Sequence, residues 1–409
     1  MKTLIGVIMF LFFGMMVIAQ QLPPWEEGML DIHHINTGRG DASFLIFPDG
    51  TTLLIDAGDM SETNPRTLSD RNCPLKPDNS RTAPEWIVQY IRTFHPVKKN
   101  ASIDYALVTH YHSDHFGEMD KLRKNSGNGY KLTGIIEVGH HLKIKYLVDR
   151  GFDDLIDRFS EEFIKTSQTL DNYRKFIDYQ SENSGMQHLK FEVGSSQQFA
   201  LLINPGKYPK FEVRNIFSAG KIWEGTSSAN YFYALPKGQY PDENNSSSGI
   251  RITYGLFNYF SGGDISGVDN EGYFPPNSIE TQAAPVIGPV DVAILNHHGN
   301  RNSQCPSYVR TIRPRIWLVQ NWTSDQPGDG VLRRITSQKL YPGPRDIYAS
   351  SILDATKNVL GSIVEKTIMP ETGHIVIRVY PGGSNYLVFV LDDNTDEYNI
   401  IFKNDYMSR

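Results

Sequence analysis

Cysteine is scarce in this sequence of 409 residues, which contains only Cys73 and Cys305. Two distant cysteines match no cysteine-rich zinc pattern, and they exclude a fold that depends on a dense disulfide framework. They allow either one disulfide, if the protein is exported, or two buried free thiols. The sequence leaves both states of this pair open.

An excess of positive charge is also lacking, since the formal net charge is −6 at pH 7. A chain of this sign has no overall field that attracts nucleic acid or anionic lipid. A local basic groove could still bind nucleic acid, but the charge does not indicate it.

Long apolar runs are absent, apart from residues 4–18 at the N-terminus. Lys2 precedes this run, and the small residues Val17 and Ala19 lie near its end, which is typical of a cleavable secretory signal. An uncleaved membrane anchor is the alternative, although the run is short for a span. We therefore expect residues 1–20 to be a signal peptide, and the mature chain to be periplasmic or secreted, without a membrane span.

Apolar and alternating segments predict a β-rich chain with helices between groups of strands. The predicted strands are Met29–Ile35, Ser43–Phe47, Thr51–Ile55, Ile103–Val108, Gly134–Val138, Leu189–Val193, Phe199–Asn204, Ile250–Tyr254, Leu256–Ser261, Val290–Leu295, Ile316–Gln320, His374–Tyr380 and Asn385–Leu391. The predicted helices are Trp86–Phe94, capped by Thr82, and an amphipathic segment over 150–183, whereas 205–248 is predicted to be irregular. This order favours one layered sandwich, with helices outside two sheets.

Four metal-binding side chains lie within six residues, directly after the predicted strand that ends at Val108. The sequence there is His110-Tyr111-His112-Ser113-Asp114-His115. Imidazole nitrogens and carboxylate oxygens suit Zn²⁺ and similar divalent ions. Because one short loop cannot aim all four side chains at one ion, we expect two adjacent ions that activate water for attack on an ester.

Further candidate ligands follow two later strands. Asp264 comes after the strand that ends at Ser261 and after a pair of glycines, where its carboxylate could bridge two ions. His297 and His298 follow another buried strand and precede Gly299. We expect these groups to complete the metal site from distant parts of the chain.

With these segments together, the chain resembles the metallo-beta-lactamase superfamily. Within it, the chain is similar to the soluble hydrolase domain of ComEC-type DNA-uptake proteins and to phosphorylcholine esterase. The segments that carry this likeness are the histidine-rich motif, Asn36–Ala42, Leu54–Gly58, Gly262–Asp264 and His297–Gly299. The resemblance implies an α/β fold, the four-layer αβ/βα sandwich, as one hydrolase domain over 28–395 with a helical insertion around 145–245.

The resemblance also implies a role for each candidate residue. The metal ligands would be His110, His112, Asp114, His115, Asp264 and His298, which would hold one or two Zn²⁺ ions, or Mn²⁺. The catalytic residues would be Asp114 and His297, with His297 contacting substrate or acting as general acid. Asp56 and Asp41 would orient ligands from behind, although turn capping is the alternative for both.

The chain departs from the wider superfamily at one position. A further histidine usually precedes the strand of the bridging aspartate, and here that stretch is Asn244–Ser248. His140, His141 or His188 could substitute, although a structural or solvated role is the simpler interpretation for each. The first of the two ion sites could therefore bind its ion weakly.

These features predict an exported, metal-dependent hydrolase of a phosphoester, with a small-molecule or polymeric substrate. A lactone, β-lactam or other amide-ester hydrolase would use the same ions and is the second hypothesis. The third hypothesis is a glycan- or partner-binding protein without turnover. Its surface would be the aromatic residues of 205–245, for which loop packing is the alternative: Tyr208, Phe211, Trp223, Tyr231, Phe232, Tyr233 and Tyr240.

Overall fold

The structure is a computed structural model that describes residues 20–151, 167–226, 229–231, 243–267 and 278–409. Residues 1–19 of the predicted signal peptide and 152–166 of the predicted helix lie outside the described residues. Of the candidate aromatic surface, Phe232, Tyr233 and Tyr240 also lie outside them.

Nine strands form the first sheet. They are β1 (Leu30–His34), β2 (Ser43–Ile46), β3 (Thr52–Ile55), β4 (Ile103–Leu107), β5 (Ile144–Asp149), β6 (Gln187–Lys190), β15 (His374–Val379), β16 (Asn385–Leu391) and β17 (Ile400–Met407). Their order is β17-β16-β15-β1-β2-β3-β4-β5-β6. The run from β3 to β6 is parallel, and the other neighbours are antiparallel.

Eight strands form the second sheet. They are β7 (Phe211–Ser218), β8 (Lys221–Trp223), β9 (Ala229–Tyr231), β10 (Gly249–Tyr254), β11 (Phe257–Ser261), β12 (Val292–Ile294), β13 (Ile316–Val319) and β14 (Asp346–Ala349). Their order is β14-β13-β12-β11-β10-β7-β8-β9. The strands from β11 to β14 are parallel, so their carboxyl ends meet at one edge.

Helices cover the outer faces of both sheets. They are α1 (Ala83–Phe94), α2 (Ser113–Phe116), α3 (Gly134–His141), α4 (Gln168–Ser184), α5 (Ile279–Ile287), α6 (Pro306–Ile312), α7 (Asp329–Ile335), α8 (Asp354–Leu360) and α9 (Ser362–Thr367). Short 3-10 turns occupy 98–100, 205–207, 244–246 and 296–299. The predicted cap of α1 is confirmed, because Thr82 Oγ1 accepts from the Glu85 amide while a Glu85 oxygen accepts from the Thr82 amide.

The hydrophobic residues form three separate layers of core. Successive side chains of a strand point to opposite faces of a sheet, and Leu45 accordingly packs between the two sheets while Phe44 packs under α1 and α3. In β13, Leu318 joins the layer between the sheets and Trp317 packs under the helices of the other side. Strands buried on both faces explain the near-continuous apolar runs of the sequence. The predicted α/β sandwich with four layers is confirmed.

One predicted strand, Gly134–Val138, is wrong, because these residues begin α3. A short apolar run has no periodicity that separates a buried strand from a buried helix. Every residue from Gly134 to Gly139 is buried, and α3 packs against α1 while Gly139 lies against Phe176 of α4. Packing on several sides has therefore selected the helix.

The segment Phe199–Asn204 is also not a strand. Its amides bond to side chains instead of a neighbouring strand: Leu202 donates to Thr51 Oγ1 at 2.8 Å and Asn204 donates to Asp49 Oδ2 at 2.9 Å. Conversely, the region 205–248 is not irregular throughout, because it contains β7, which pairs with β10. Glu212 and Arg214 alternate with apolar residues along β7, a pattern that indicates a half-buried strand and that the prediction overlooked.

The two cysteines are free and buried in different places, so the free-thiol alternative holds. Cys73 Sγ lies 3.0 Å from Ser351 Oγ, whereas Cys305 belongs to the core beneath α5 and α6. Within the described residues, every helix is too short or too polar to cross a bilayer.

Candidate metal centre

The candidate site residues all follow strands whose carboxyl ends lie at one edge of the sandwich. Asp56 follows β3, and the motif from His110 to His115 follows β4, its parallel neighbour. Asp264 follows β11, and His297 and His298 follow β12, again its parallel neighbour. Parallel strands carry such groups to a common edge, where loops present them to one crevice.

Four of these side chains form a compact cluster. Ligand atoms of Asp114, His115, Asp264 and His298 all lie within 4.8 Å of one another. His298 Nε2 lies 3.1 Å from Asp114 Oδ2 and 3.3 Å from Asp264 Oδ2, and His115 Nε2 lies 3.1 Å from Asp264 Oδ1. Two imidazoles and two carboxylates in this arrangement match the ligand preference of Zn²⁺ and related ions.

The tautomers of the two rings fit a cation between them. His115 Nδ1 donates to Asp56 Oδ2 at 2.8 Å, and His298 Nδ1 donates to the Gln320 carbonyl at 2.9 Å. Both partners are pure acceptors, so each Nδ1 carries a hydrogen and Nε2 is the nitrogen that each ring presents to the centre. These Nε2 atoms face each other at 3.2 Å. A divalent ion bound there would replace any proton on Nε2 and would be held by a lone pair from each ring.

The charges of the cluster favour the same conclusion. Burial opposes protonation of His115, but Asp264 and Asp56 outweigh it and raise the pKa of the ring well above its usual value. Burial likewise opposes protonation of His298, and Asp264 and Asp41 raise its pKa well above normal. The pKa of Asp264 is held well below its usual range by both rings, against the effect of burial. The carboxylates thus stabilise positive charge nearby, either on the histidine rings or on a bound cation.

His110 and His112 lie beside the cluster, not within it. His110 Nε2 lies 3.2 Å from His112 Nδ1 and 3.9 Å from Asp264 Oδ2. Burial and the neighbouring ring of His115 lower the pKa of His110 well below its usual value, so the ring is neutral and available as a ligand. The structure therefore brings all six expected ligands together, with Asp264 between the two pairs of histidines.

His297 borders the cluster and is partly exposed. Its Nε2 lies 4.0 Å from Asp264 Oδ2, and its Nδ1 lies 2.8 Å from Asn302 Oδ1. The side chain is 16% exposed, compared with 1% for His298, so His297 alone of this pair presents its ring to the crevice.

Asp56 and Asp41 both stand behind the ligands. Besides His115, Asp56 accepts from the Thr109 amide and from Thr109 Oγ1, each at 2.7 Å. Asp41 Oδ1 lies 3.2 Å from His298 Nδ1. Asp41 also donates its amide to the Asp114 carbonyl at 2.7 Å, so it links one ligand to the backbone of another.

Three of the seven non-glycine residues with positive φ in the described part of the chain belong to this site. Asp56, His297 and His298 have positive φ angles of 59°, 51° and 54°. Residues other than glycine rarely adopt this conformation, and it persists where the surrounding structure enforces it. Gly40 and Gly58 allow the closest approach, since a Cβ on either would overlap the Asp114 carbonyl oxygen.

Several residues that support the site were not predicted from the sequence. Trp322 Nε1 donates to Asp114 Oδ2 at 3.0 Å, and the Gln320 carbonyl holds His298. Both follow β13, whose carboxyl end lies beside that of β12. The rule that polar groups after parallel strands share one edge would have found them.

The three alternative histidines lie elsewhere. His188 Nε2 contacts Asp149 Oδ2 at 2.7 Å, and His140 Nδ1 lies 3.1 Å from the Tyr130 hydroxyl. His141 lies beside two glutamates on the outer helices. In the described part of the chain, Asn244 approaches the centre instead, with its Nδ2 3.4 Å from His297 Nε2.

A crevice of about 320 Å³ opens over the cluster. Asp114, Asp264, His112 and His297 lie in its floor. Side chains that can donate hydrogen bonds line its walls: Asn64, Arg66, Thr67, Asn72, Asn244 and Trp322. The crevice therefore suits a polar substrate that is rich in acceptor oxygens.

Comparison with known proteins identifies one family. The sequence model described as the metallo-beta-lactamase superfamily matches residues 36–319, which is more than half of the chain and contains every residue of the cluster. No curated protein matches the chain.

Proposed function

Because this chain belongs to the metallo-beta-lactamase superfamily, we propose that it is an exported, metal-dependent hydrolase that cleaves a phosphoester. Members of the superfamily are generally hydrolases, and the fold implies divalent metal binding. The observation that carries the proposal is the buried His/Asp cluster at the floor of a crevice with hydrogen-bond donors on its walls.

The phosphoester assignment rests on the walls of the crevice and on the sequence. A phosphoryl group has several charged acceptor oxygens, which the Arg66 guanidinium and the Asn244 amide can bind. The segments Asn36–Ala42 and His297–Gly299 resemble hydrolase domains of ComEC-type proteins and phosphorylcholine esterase. Together these features favour phosphoester over lactam substrates.

The chain's own residues have separate tasks in this proposal. One ion would be held by Asp114, His115, Asp264 and His298. Asp264 would also contribute to a second ion, at His110 and His112. Bound divalent ions supply Lewis-acid activation of water and stabilise developing negative charge. Asp56 keeps Nδ1 of His115 protonated, so that its Nε2 faces the ion.

His297 is the residue proposed to act on the substrate. Asn302 fixes the ring through Nδ1, and Nε2 then points into the crevice beside Asp264. When the ring is charged, Nε2 can donate to a phosphoryl oxygen or give a proton to the leaving oxygen. The amide nitrogens of Asn244 and Asn300 both lie 3.4 Å from Nε2. Contacts of this length are weak, so Nε2 remains available to the substrate.

A substrate panel tests the proposal. Mature protein loaded with Zn²⁺ or Mn²⁺ is assayed on aryl phosphomonoesters and phosphodiesters, nucleic acid, nitrocefin and an acyl-homoserine lactone. We expect phosphoester cleavage that falls roughly a hundredfold or more in Asp114→Ala and Asp264→Ala, because bound metal supplies several kcal/mol. His297→Ala should keep its metal but lose turnover. The matched control is Asp329→Ala, an exposed aspartate on α7.

Three outcomes would contradict the proposal. If metal-loaded protein cleaves no phosphoester but opens nitrocefin or the lactone, the second hypothesis replaces it. If wild type and both aspartate variants have equal activity, the centre is not catalytic. A protein that contains no metal after production in metal-replete medium would support the binding protein.

Export is tested separately. The short basic start and the apolar run 4–18 support a signal that is removed near residue 20. Expression of the full chain followed by N-terminal sequencing of the periplasmic or secreted fraction should give a chain that begins at Gln20 or Gln21. Recovery of the whole chain in the membrane fraction would instead support an uncleaved anchor.

A further inference from the structure

A second group of metal-binding side chains lies on the outer helical layer, where α1 packs against α3. Glu85 is in the first turn of α1, and Glu137 and His141 lie one turn apart on α3. One ligand atom from each of the three falls within 4.8 Å of the other two. The group shares no residue with the catalytic centre. Residues four apart on a helix lie on one face, so α3 aims both of its side chains at Glu85.

Glu137 is the unusual member of this group. The residue is only 1% exposed, and its Oε1 has no hydrogen-bond partner among the described residues. A buried carboxylate oxygen without a partner is costly, and such groups are normally paired or bound to a metal. Burial, with help from Asp59 and Glu85, raises the pKa of Glu137 to about 7. The site therefore contains an acceptor that the fold leaves unsatisfied.

The charge around the group is only partly balanced. Lys124 Nζ lies 3.0 Å from Glu85 Oε1, but its side chain is 62% exposed. The other Glu85 oxygen accepts from the Thr82 amide as part of the helix cap. One solvent-exposed ammonium thus faces two carboxylates, while the exposed His141 supplies a nitrogen ligand.

We propose that Glu85, Glu137 and His141 form a second metal site, separate from the catalytic centre, that takes a divalent ion of the Zn²⁺ class. Two carboxylates and one imidazole suit such an ion better than Ca²⁺ or Mg²⁺, which prefer oxygen ligands. The ion supplies the missing partner of Glu137, takes the place of Lys124 at Glu85, and joins α1 to α3. Water completes its coordination on the exposed side of His141.

Calorimetric titration with Zn²⁺ tests this site. The experiment uses the full chain carrying Asp264→Ala, which weakens the catalytic centre, and compares it with the same chain carrying Glu137→Gln or His141→Gln in addition. We expect one binding event per chain that becomes at least tenfold weaker in both double variants. His141→Gln changes an exposed residue, so it remains informative if Glu137→Gln folds poorly.

Two further variants sharpen the result. His140→Gln, on the neighbouring residue of the same helix, is the matched control and should keep the binding event. Lys124→Ala removes the competing ammonium, so it should strengthen Zn²⁺ binding by several-fold and increase the rise in melting temperature that Zn²⁺ produces. An unchanged isotherm in His141→Gln, or weaker binding in Lys124→Ala, would overturn the proposal. Neither result depends on the substrate of the catalytic centre.

Discussion

Asp56 influences the metal centre through the ring of His115 and, by way of Thr109 Oγ1, through the ring of His110. An asparagine at this position would keep the bond from the Thr109 amide but would place an NH₂ group against the protonated Nδ1 of His115. The ring would lose the partner that fixes its tautomer. We expect Asp56→Asn to lower metal affinity about 10- to 100-fold without removing any ligand. Competition with a chromogenic chelator measures this change.

The matched control for that variant is Asp104→Asn. Asp104 accepts from the Thr52 amide and hydroxyl at the other end of the same strand pair, so it makes similar bonds far from the metal. Its metal affinity should equal that of wild type. If both variants lose affinity equally, the effect is one of general stability and Asp56 has no specific role.

At the residue scale, the predicted ligands occur in short motifs that directly follow strands, and the structure places their side chains close together. His110, Asp264 and His298 meet in the structure as expected. Trp322 and Asn302 were not predicted, because single polar residues in loops gain their partners only through tertiary packing. Local pattern therefore identifies ligands, whereas the residues that orient them depend on distant contacts.

At the scale of elements, the turn after β3 and helix α2 are packed backbone against backbone. The Gly58 amide donates to the Asp41 carbonyl, and its Cα faces the Asp114 carbonyl. A methyl group there has no room, so Gly58→Ala must push α2 and its ligands outward. We expect a loss of about 1–3 kcal/mol in the free energy of unfolding, together with weaker metal binding. Urea denaturation and metal analysis measure the two effects.

Gly206→Ala provides the comparison for this element. No atom lies within 4 Å of a Cβ at that position. Its stability should stay within about 0.5 kcal/mol of wild type, and its metal content should not change. A Gly58→Ala protein with normal metal content would show that α2 can shift without moving Asp114.

Strands β1 and β15 carry buried histidines that make the sandwich sensitive to acid. Burial lowers the pKa of His34 and of His374 to about 4. Unfolded histidine titrates near 6.5, so between pH 6.5 and 4 the unfolded chain binds more protons than the folded chain. The stability that these rings contribute is thus fully present above pH 6.5 and is lost as the pH falls toward 4.

His374→Asn isolates one of these contributions. His374 Nδ1 accepts from the Asn36 amide at 3.0 Å, and an asparagine oxygen can take over that bond without titrating. Between pH 7 and pH 5, we expect the variant to lose about 2 kcal/mol less stability than wild type. Urea denaturation at both pH values, with chelator present to remove metal effects, gives the comparison. Equal losses would mean that His374 is already charged in the folded protein.

Sequence patterns predicted some of the strands and helices correctly and missed others. The predictions for β1 to β4, β10 to β13, β15 and β16 hold, because alternating or continuous apolar runs mark buried strands. No strand was predicted at β5, β7 to β9 or β14, and Leu189–Val193 overlaps β6 only in part. The segment that begins at Gly134 was assigned to the wrong class, since its apolar residues are buried on all sides in either structure. Strand β17 was missed because its exposed residues, among them Lys403 and Asp405, give it the composition of a loop.

At the scale of the whole molecule, a bound ion would cross-link the two sheets. Its ligands follow β4 in the first sheet and β11 and β12 in the second. An ion that binds only the folded chain adds about 2.7 kcal/mol at a concentration one hundred times its dissociation constant. We expect chelation to lower the melting temperature by several degrees, and added Zn²⁺ to restore it.

The control for this prediction separates the two metal sites. In the His141→Gln protein the outer site is disabled, so the remaining effect of chelator reports the catalytic centre. Adding Asp264→Ala to that protein should remove most of the response. A response that persists in the double variant would place the stabilising ion at neither site.

The strand order of the first sheet affects how the chain folds during its synthesis. β1 lies between β2 and β15, and Leu30 pairs with Val379. During synthesis the ribosome releases β1 first, and its second partner follows only after almost the whole chain has been translated. Until then one edge of β1 is open, as are the apolar faces of its neighbours. Pairing over such a separation is slow, so nascent chains that stall before β15 are expected to aggregate or to require a chaperone.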